Sequence, residues 1–210
     1  MGSSGCSGAV LAGGESRRFD GIAKGLLEVG GRRIVDRVLD AVRSATDELF
    51  LITNDTTVRD AVRDVPSFGD VRDGRGSLIG LHSALSHCRD SAIVAAWDMP
   101  FLSSELLNML RTRGEESAAA ALPEGPFGPE PLCAYYPRAC LAIAEQQIER
   151  GELRLSAFID ALPAPVIVPI DEVAQFGSPA TLFANVNTTP DLAGAQLRAG
   201  SAFTTVAQRR

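Results

Sequence analysis

Short apolar runs alternate with helix-spaced apolar patterns along nearly the whole chain, and that alternation constrains the fold more than any other feature. Gly8-Ala9-Val10-Leu11-Ala12 is a compact run ending in Gly13-Gly14, which reads as a buried strand entering a turn. From Ile34 to Ser44, the residues Ile34, Val35, Val38, Leu39 and Val42 recur at the spacing of one helix face. Leu49 to Thr53 is a second strand, stopped by Asn54-Asp55. Leu78, Leu81, Leu85 and Cys88 mark another helix, Ala92 to Ala96 a strand after it, and Leu106, Leu107 and Leu110 a further helix. Parallel strands need crossovers, and helices supply them. The alternation therefore predicts an α/β chain: a Rossmann-like, three-layer α/β/α fold around a mostly parallel central sheet.

The second half is less regular. Ala118 to Leu122 and Leu132 to Tyr136 read as strands flanking the Pro/Gly-rich stretch from Pro123 to Pro131. Such a stretch cannot be helical and is expected to form an exposed loop, a candidate substrate lid. A helix is expected over Cys140 to Arg150 and a strand over Pro165 to Ile170. Thr189-Pro190-Asp191-Leu192 reads as a helix start, with a capping hydroxyl, proline at the first helical position and an acid in the first turn. No internal repeat and no long linker divides the 210 residues, so a single domain over 1–210 is expected.

The charge balance narrows function by exclusion. Lys plus Arg number 20 against 26 Asp plus Glu, a formal net charge of −6. A chain this acidic has no general attraction for nucleic acid, and any anion it binds must meet a local positive site. Cys6, Cys88, Cys133 and Cys140 show neither a CxxC nor a histidine at metal spacing, which reads as free buried thiols in a reducing compartment. No apolar run reaches the ~18 residues of a membrane span, and the start has no signal-peptide core, so a cytoplasmic protein without a membrane partner is expected.

In open α/β sheets, ligands bind outside the carboxyl ends of the strands. Four such places carry chemistry. At Leu11-Ala12-Gly13-Gly14, adjacent glycines let backbone N–H groups approach phosphate oxygens, and Arg17, Arg18 and Lys24 follow within one loop. Asp98 follows the strand ending at Ala96, in a loop stiffened by Pro100; one carboxylate there suits Mg²⁺, which fills its remaining positions with water and phosphates. Asn54 ends the second strand and Asp73 precedes a glycine-rich turn into a helix, and a carboxylate there would accept from guanine's N1–H and exocyclic amine. Asn185 and Asn187, two apart in an extended segment, point to one side and offer donors and acceptors together, which suits a pterin edge. His82 and His87, five apart on a helix, do not share a face and suggest no metal pair.

Together these residues resemble a known group. LAGG followed by Arg18 and Lys24 is similar to the nucleotide-binding signature of nucleotidyltransferases with a GT-A-like, nucleotide-diphospho-sugar transferase type fold. Asn185-Val186-Asn187-Thr188-Thr189-Pro190-Asp191-Leu192 resembles the Asn-x-Asn-Thr-Pro-x-Asp-Leu motif of the molybdenum cofactor guanylyltransferase family, with the proline moved by one position. Asp98-Met99-Pro100 is similar to its metal-binding motif, with Trp97 where cysteine is common, and Gly76 to Gly80 to its Gly-Pro-Leu-x-Gly, with Ser77 in the proline position.

The resemblance implies transfer of GMP from GTP to molybdenum-bound molybdopterin, with release of pyrophosphate and Mg²⁺ as cofactor. In that reading Asp98, Lys24 and Arg18 are catalytic, and Leu11, Ala12, Gly13, Gly14, Lys24, Asn54, Asp73 and Asp98 bind the nucleotide. Asn185, Asn187 and Thr188 hold molybdopterin, and Asp98 holds the metal. Molybdoenzymes or their chaperones are the implied downstream partners. Two rivals remain open on the residues alone. One is a related nucleotidyltransferase using CTP or a sugar phosphate, which needs Lys24 and Asp98 but not the asparagine pair. The other is a non-catalytic nucleotide or molybdopterin carrier.

Overall fold

The computed structural model describes residues 5–13 and 22–207, with side chains through residue 200. Gly14, Arg17 and Arg18 lie outside the described residues. Strand β1 (Cys6–Leu11) and strand β6 (Ser91–Ala96) are buried at every position, as strands covered on both faces must be. They pair in parallel with each other, and β1 pairs in parallel with β4 (Glu48–Ile52). A short β5 (Ser67–Phe68) extends that edge, again in parallel. Between these strands run a small hairpin, β2 (Glu28–Val29) with β3 (Arg32–Arg33), and the helices α1 (Ile34–Arg43), α2 (Thr56–Ala61) and α3 (Ser77–His87).

The other edge mixes directions. Helix α4 (Ser104–Ser117) leads to β7 (Ala121–Gly125), which turns into β8 (Gly128–Pro129) and then β9 (Cys133–Pro137). β9 is antiparallel to both β6 and β7, so β7 runs the same way as β6. After α5 (Cys140–Glu149) and α6 (Leu155–Asp160), β10 (Val166–Val168) adds in parallel to β7. The sheet order is β10-β7-β9-β6-β1-β4-β5, and helices α7 (Ile170–Val173), α8 (Pro179–Leu182) and α9 (Thr189–Ala207) complete the chain. The α/β fold with a mostly parallel central sheet is thus as the alternation predicts.

Two expectations in this half are corrected. The strand expected over 118–122 begins at Ala121, because Ala118 caps α4 in the left-handed conformation, at φ 51°. The exposed loop expected over 123–131 is instead mostly a hairpin: Glu124 pairs with Pro129 and Gly125 with Gly128, leaving Pro126 and Phe127 at the tip. Pro123 is itself buried in β7, after the buried Ala121 and Leu122 and before the half-buried Glu124, a position the Pro/Gly composition masked.

Two apolar clusters sandwich the sheet. Helix α1 buries Ile34, Val35, Val38, Leu39 and Val42, joining α4 and the α7–α9 region on one face. Helices α3, α5 and α6 cover the other. Gly8 is the contact point of α1 on β1: a Cβ there would stand 2.5 Å from Val42 Cγ1, so the approach of helix to strand requires glycine. Because α1 and α3 leave β1 and enter β6 on opposite faces, a crevice opens between the carboxyl ends of these two strands, the switch point of the sheet. No described helix is long and apolar enough to cross a membrane.

Candidate active site

Lys24 opens a 3-10 turn (Lys24–Leu26) that lies over the β1/β6 crevice, following the buried Ala23. Its neighbour Gly25 lies flat on the Trp97 indole. A Cβ at Gly25 would come within 2.2 Å of Trp97 Cε3, and Trp97 is 2% exposed, so neither side can yield. This close packing fixes the backbone from which the lysine projects. Trp97 is itself held by its backbone N–H, which donates to the Leu11 carbonyl at 3.2 Å. One residue further, Asp98 ends the β6 segment with only 6% of its surface exposed.

Lys24 Nζ donates to Asp98 Oδ2 at 2.5 Å and to Asn187 Oδ1 at 2.8 Å. Three of the residues named from sequence, from three distant stretches, thus meet at one point. Asn187 is brought there by the preceding residue: the Val186 N–H donates to the Asp98 carbonyl at 3.0 Å, and the Val186 side chain is buried. Asn185 and Asn187 flank it and are both exposed, as alternation in an extended segment requires. Asn185 stays clear of the lysine; its amide faces the Phe183 carbonyl at 3.4 Å.

Thr188, expected at the same site, has a structural duty. Its hydroxyl accepts from the Asp191 N–H at 3.3 Å, while Asp191 Oδ2 accepts from the N–H groups of Asn187 and Thr188 at 3.0 and 2.8 Å. This is a reciprocal helix cap. The capping hydroxyl is therefore that of Thr188 and not, as expected, that of Thr189. The Thr188 hydroxyl and the two amides hold the Asp191 carboxyl below its usual range. Farther along α9, Gln196 accepts from the Gly30 N–H and donates to the Glu28 carbonyl, docking the helix on the β2–β3 hairpin.

On the far side of β1, the structure brings Asn54 to Asp70, not to Asp73. The Asn54 amide donates to Asp70 Oδ2 at 2.7 Å and accepts from the Asp70 N–H at 2.8 Å. Ser83 of α3 accepts from the Val71 N–H at 2.9 Å and anchors the same loop from below. Asp73 lies in the exposed continuation of this loop. Asp70 and Ser83 carry no sequence signal of their own; only β5, two residues long, brings them together with Asn54. Leu11 and Ala12 are buried and present backbone only: the Leu11 carbonyl holds Trp97, and the Ala12 N–H donates to the Ile52 carbonyl at 2.9 Å. Gly13 is exposed at the mouth of the crevice.

The described thiols and imidazoles make no hydrogen bond to Lys24, Asp98 or Asn187. All four cysteines are free and buried, and burial pushes the Cys88 and Cys140 thiols up to about 11. His87 stacks on Phe68 with ring centroids 4.1 Å apart, while His82 is buried 3.6 Å from Glu145 Oε1.

Comparison with known proteins places this arrangement in a family. The family model for the MobA-like NTP transferase domain matches residues 8–166. A molybdenum cofactor guanylyltransferase from Desulfosudis oleivorans is 34% identical over 92% of this chain and 96% of its own. A probable molybdenum cofactor guanylyltransferase from Methanosarcina mazei is 30% identical over 89% and 88%. Among solved structures, the molybdopterin-guanine dinucleotide biosynthesis protein A of Archaeoglobus fulgidus superposes with a TM-score of 0.79 at 29% identity, covering 93% of this chain and 99% of that one. A cytidylyl-type synthetase of an octonic acid, solved with CTP, shares the fold at 14% identity and a TM-score of 0.72. With its crevice, its lysine–aspartate pair and its match across residues 8–166, the chain belongs to the MobA-like NTP transferase family.

Proposed function

We propose that this protein transfers GMP from GTP to molybdenum-bound molybdopterin, releasing pyrophosphate, in a Mg²⁺-dependent reaction. The observation that carries the reading is the meeting of Lys24, Asp98 and Asn187, which joins the nucleotide side of the crevice to the asparagine segment. Such chemistry needs no protein nucleophile; positioning and charge suffice.

The acceptor's terminal phosphate oxygen attacks the α-phosphorus of GTP in line. A P–O bond forms there as the α–β bridging P–O bond breaks, and pyrophosphate leaves with the electron pair. Lys24 is placed to offset charge on the departing phosphates, and the exposed Gly13 just past β1 is proposed to offer its backbone to the same charge. Gly14 and Arg18 are proposed for the same task on sequence grounds. Leu11 and Ala12 shape the crevice floor through their backbones, and Asn54 holds the Asp70–Asp73 loop where a guanine edge would find acceptors.

The donor set suits Mg²⁺. Asp98 offers a nearly buried carboxylate just past the carboxyl end of β6, at the mouth of the crevice. Mg²⁺ takes one or two carboxylates and completes its shell with water and phosphates. Asp98 is the residue that would hold it, and the ion would supply charge neutralisation at the triphosphate. Lys24 donates to the same carboxylate, which holds the two side chains in a fixed relative orientation.

The test is direct. Incubation with molybdopterin, Mg²⁺ and each of GTP, CTP and UTP, scoring pyrophosphate release, should consume GTP. Consumption of CTP in its place would identify a cytidylyltransferase, and consumption of none with tight nucleotide binding would identify a carrier.

A further inference from the structure

Two consecutive residues of α3 reach the Asp70–Asp73 loop by different routes. Ser83 does so directly: its hydroxyl accepts from the Val71 N–H at 2.9 Å, next to the Asp70 that is paired with Asn54. His82 does so through a third element. Its Nε2 lies 3.6 Å from Glu145 Oε1 on α5, and the same oxygen lies 4.0 Å from Arg72 Nη2 in the loop. Arg72 is exposed and Glu145 half-buried, whereas His82 is 1% exposed. A buried ring thus stands at the root of a surface ion pair that ends one residue before Asp73.

Neither nitrogen of that ring makes a hydrogen bond among the described residues. Buried polar atoms are nearly always bonded, and a neutral imidazole has one N–H to give and one lone pair to fill. Glu145 Oε1 is the acceptor it faces, a few tenths of an ångström beyond hydrogen-bond length. The other charged groups around the ring are Arg72 and Asp70, both in the loop. Helix α6 and strands β1, β4 and β6 meet α3 through apolar side chains, among them Phe158, Leu11, Ile52 and Val94. Burial pulls the His82 pKa below its ordinary value against the opposing pull of Glu145. The ring is therefore neutral near pH 7 and charges as pH falls through the lowered value. An imidazolium there would draw the Glu145 carboxylate inward and repel Arg72, parting the surface pair.

We propose that His82 is a positioning residue for the nucleotide: as a neutral donor to Glu145 it holds that carboxylate in place for Arg72, and so fixes the Asp70–Asp73 loop against the base. The loop then has two tethers, Ser83 at Asp70–Val71 and the His82–Glu145–Arg72 relay one residue on. This relay rests on the guanylyl-transfer reading and deepens it, since it acts on the loop to which that reading assigns the guanine. It takes no part in the chemical step.

The experiment titrates GTP and CTP calorimetrically on the full chain from pH 8 to pH 5, beside steady-state rates. Arg72→Ala and Glu145→Ala change side chains at the surface and leave the core intact. Each should weaken GTP binding about threefold at pH 7.5, the scale of a surface ion pair. The two together should cost no more than either alone, because they cut one relay. KM for GTP should rise while kcat stays within about twofold of the parent. His82→Gln puts a non-titrating amide donor near the Nε2 position. It should keep parental affinity at pH 7.5 and hold it at pH 5.5, where the parent weakens; the titration of the GTP phosphates is common to both and cancels in the ratio. Parental GTP affinity in both alanine variants would overturn the relay. So would one pH dependence shared by the parent and His82→Gln, or a loss confined to kcat. If the parent transfers GMP while these variants stay parental, the relay alone fails. If the parent prefers CTP and the variants lose CTP affinity in the same way, the relay stands and the guanylyl reading fails.

Discussion

Lys24 reaches a carboxylate 74 residues away and an amide 163 residues away, so its ammonium is the point where three parts of the chain are held in register. Asp98→Asn keeps the shape of that junction and removes the charge. Turnover is expected to fall on the order of 10²–10³-fold, the usual cost of losing one preorganised electrostatic group. Lys24→Ala should weaken GTP binding about ten- to a hundredfold, as expected for a lost charge-assisted contact. Steady-state rates beside calorimetric GTP titrations check both, and near-parental values in either variant would remove that residue from the site. Gly25→Ala acts through packing: its Cβ is driven into the buried Trp97 ring. The overpacking should cost ~1–3 kcal/mol, seen as a lower Tm. Trp97→Phe in the same chain should recover part of it, and no recovery would mean that the indole is not the obstacle. Lys24, Asp98 and Asn187 were legible in the sequence because each carries an unusual charge or amide at a strand end or turn. Gly25 was not, since its constraint is a ring 72 positions further along the chain that only the fold brings near.

Element by element, the sequence pattern located β1, β4, β6, α1, α3, α4 and α5 within a few residues of where they stand, because each has a strong apolar period and buries it. The short pieces α2, β5, α6, α7 and α8 lack such a period. Their place is set by neighbours and by caps such as Asp55, whose side chain accepts from the Thr57 N–H at the start of α2. The N-terminal cap of α9 matters most for function, since it carries Asn187 and Thr188. Asp191 has a depressed folded-state pKa, so its cap stabilises the fold above the ordinary carboxylate value of ~3.9 and is lost as pH falls through the lower folded value. Thermal melts from pH 6 down to pH 2 should therefore show the parent losing an increment that Asp191→Asn, already uncharged, does not lose. Identical pH dependence in the two would mean that the charge of Asp191 is not what holds the cap.

Across the whole molecule, the strand order separates two halves of one edge. β1, β4 and β5 end in the crevice floor and the Asn54–Asp70 loop, whereas β6 ends in Asp98 and the segment that leads to α9. The Lys24–Asp98 pair stands at the seam, where a donor on one side and an acceptor on the other would be brought into line. That layout makes the two asparagines separable, although the sequence presents them as an equivalent pair. Asn185 touches neither Lys24 nor Asp98 in the hydrogen-bonding pattern, so Asn185→Ala should raise the KM for molybdopterin and leave the GTP affinity within about twofold. Asn187 accepts from Lys24 Nζ, so Asn187→Ala should weaken both substrates and lower turnover, because the ammonium loses one of the two contacts that orient it. The loss for GTP should be smaller than that of Lys24→Ala, which removes the ammonium outright. Paired titrations of GTP and molybdopterin on the two single variants read the difference. Equal effects of both substitutions on GTP would place the two asparagines on the same substrate and dissolve the division of the crevice into donor and acceptor halves. A GTP loss confined to Asn187→Ala, with acceptor KM raised in both, is the outcome that the seam at Lys24 requires.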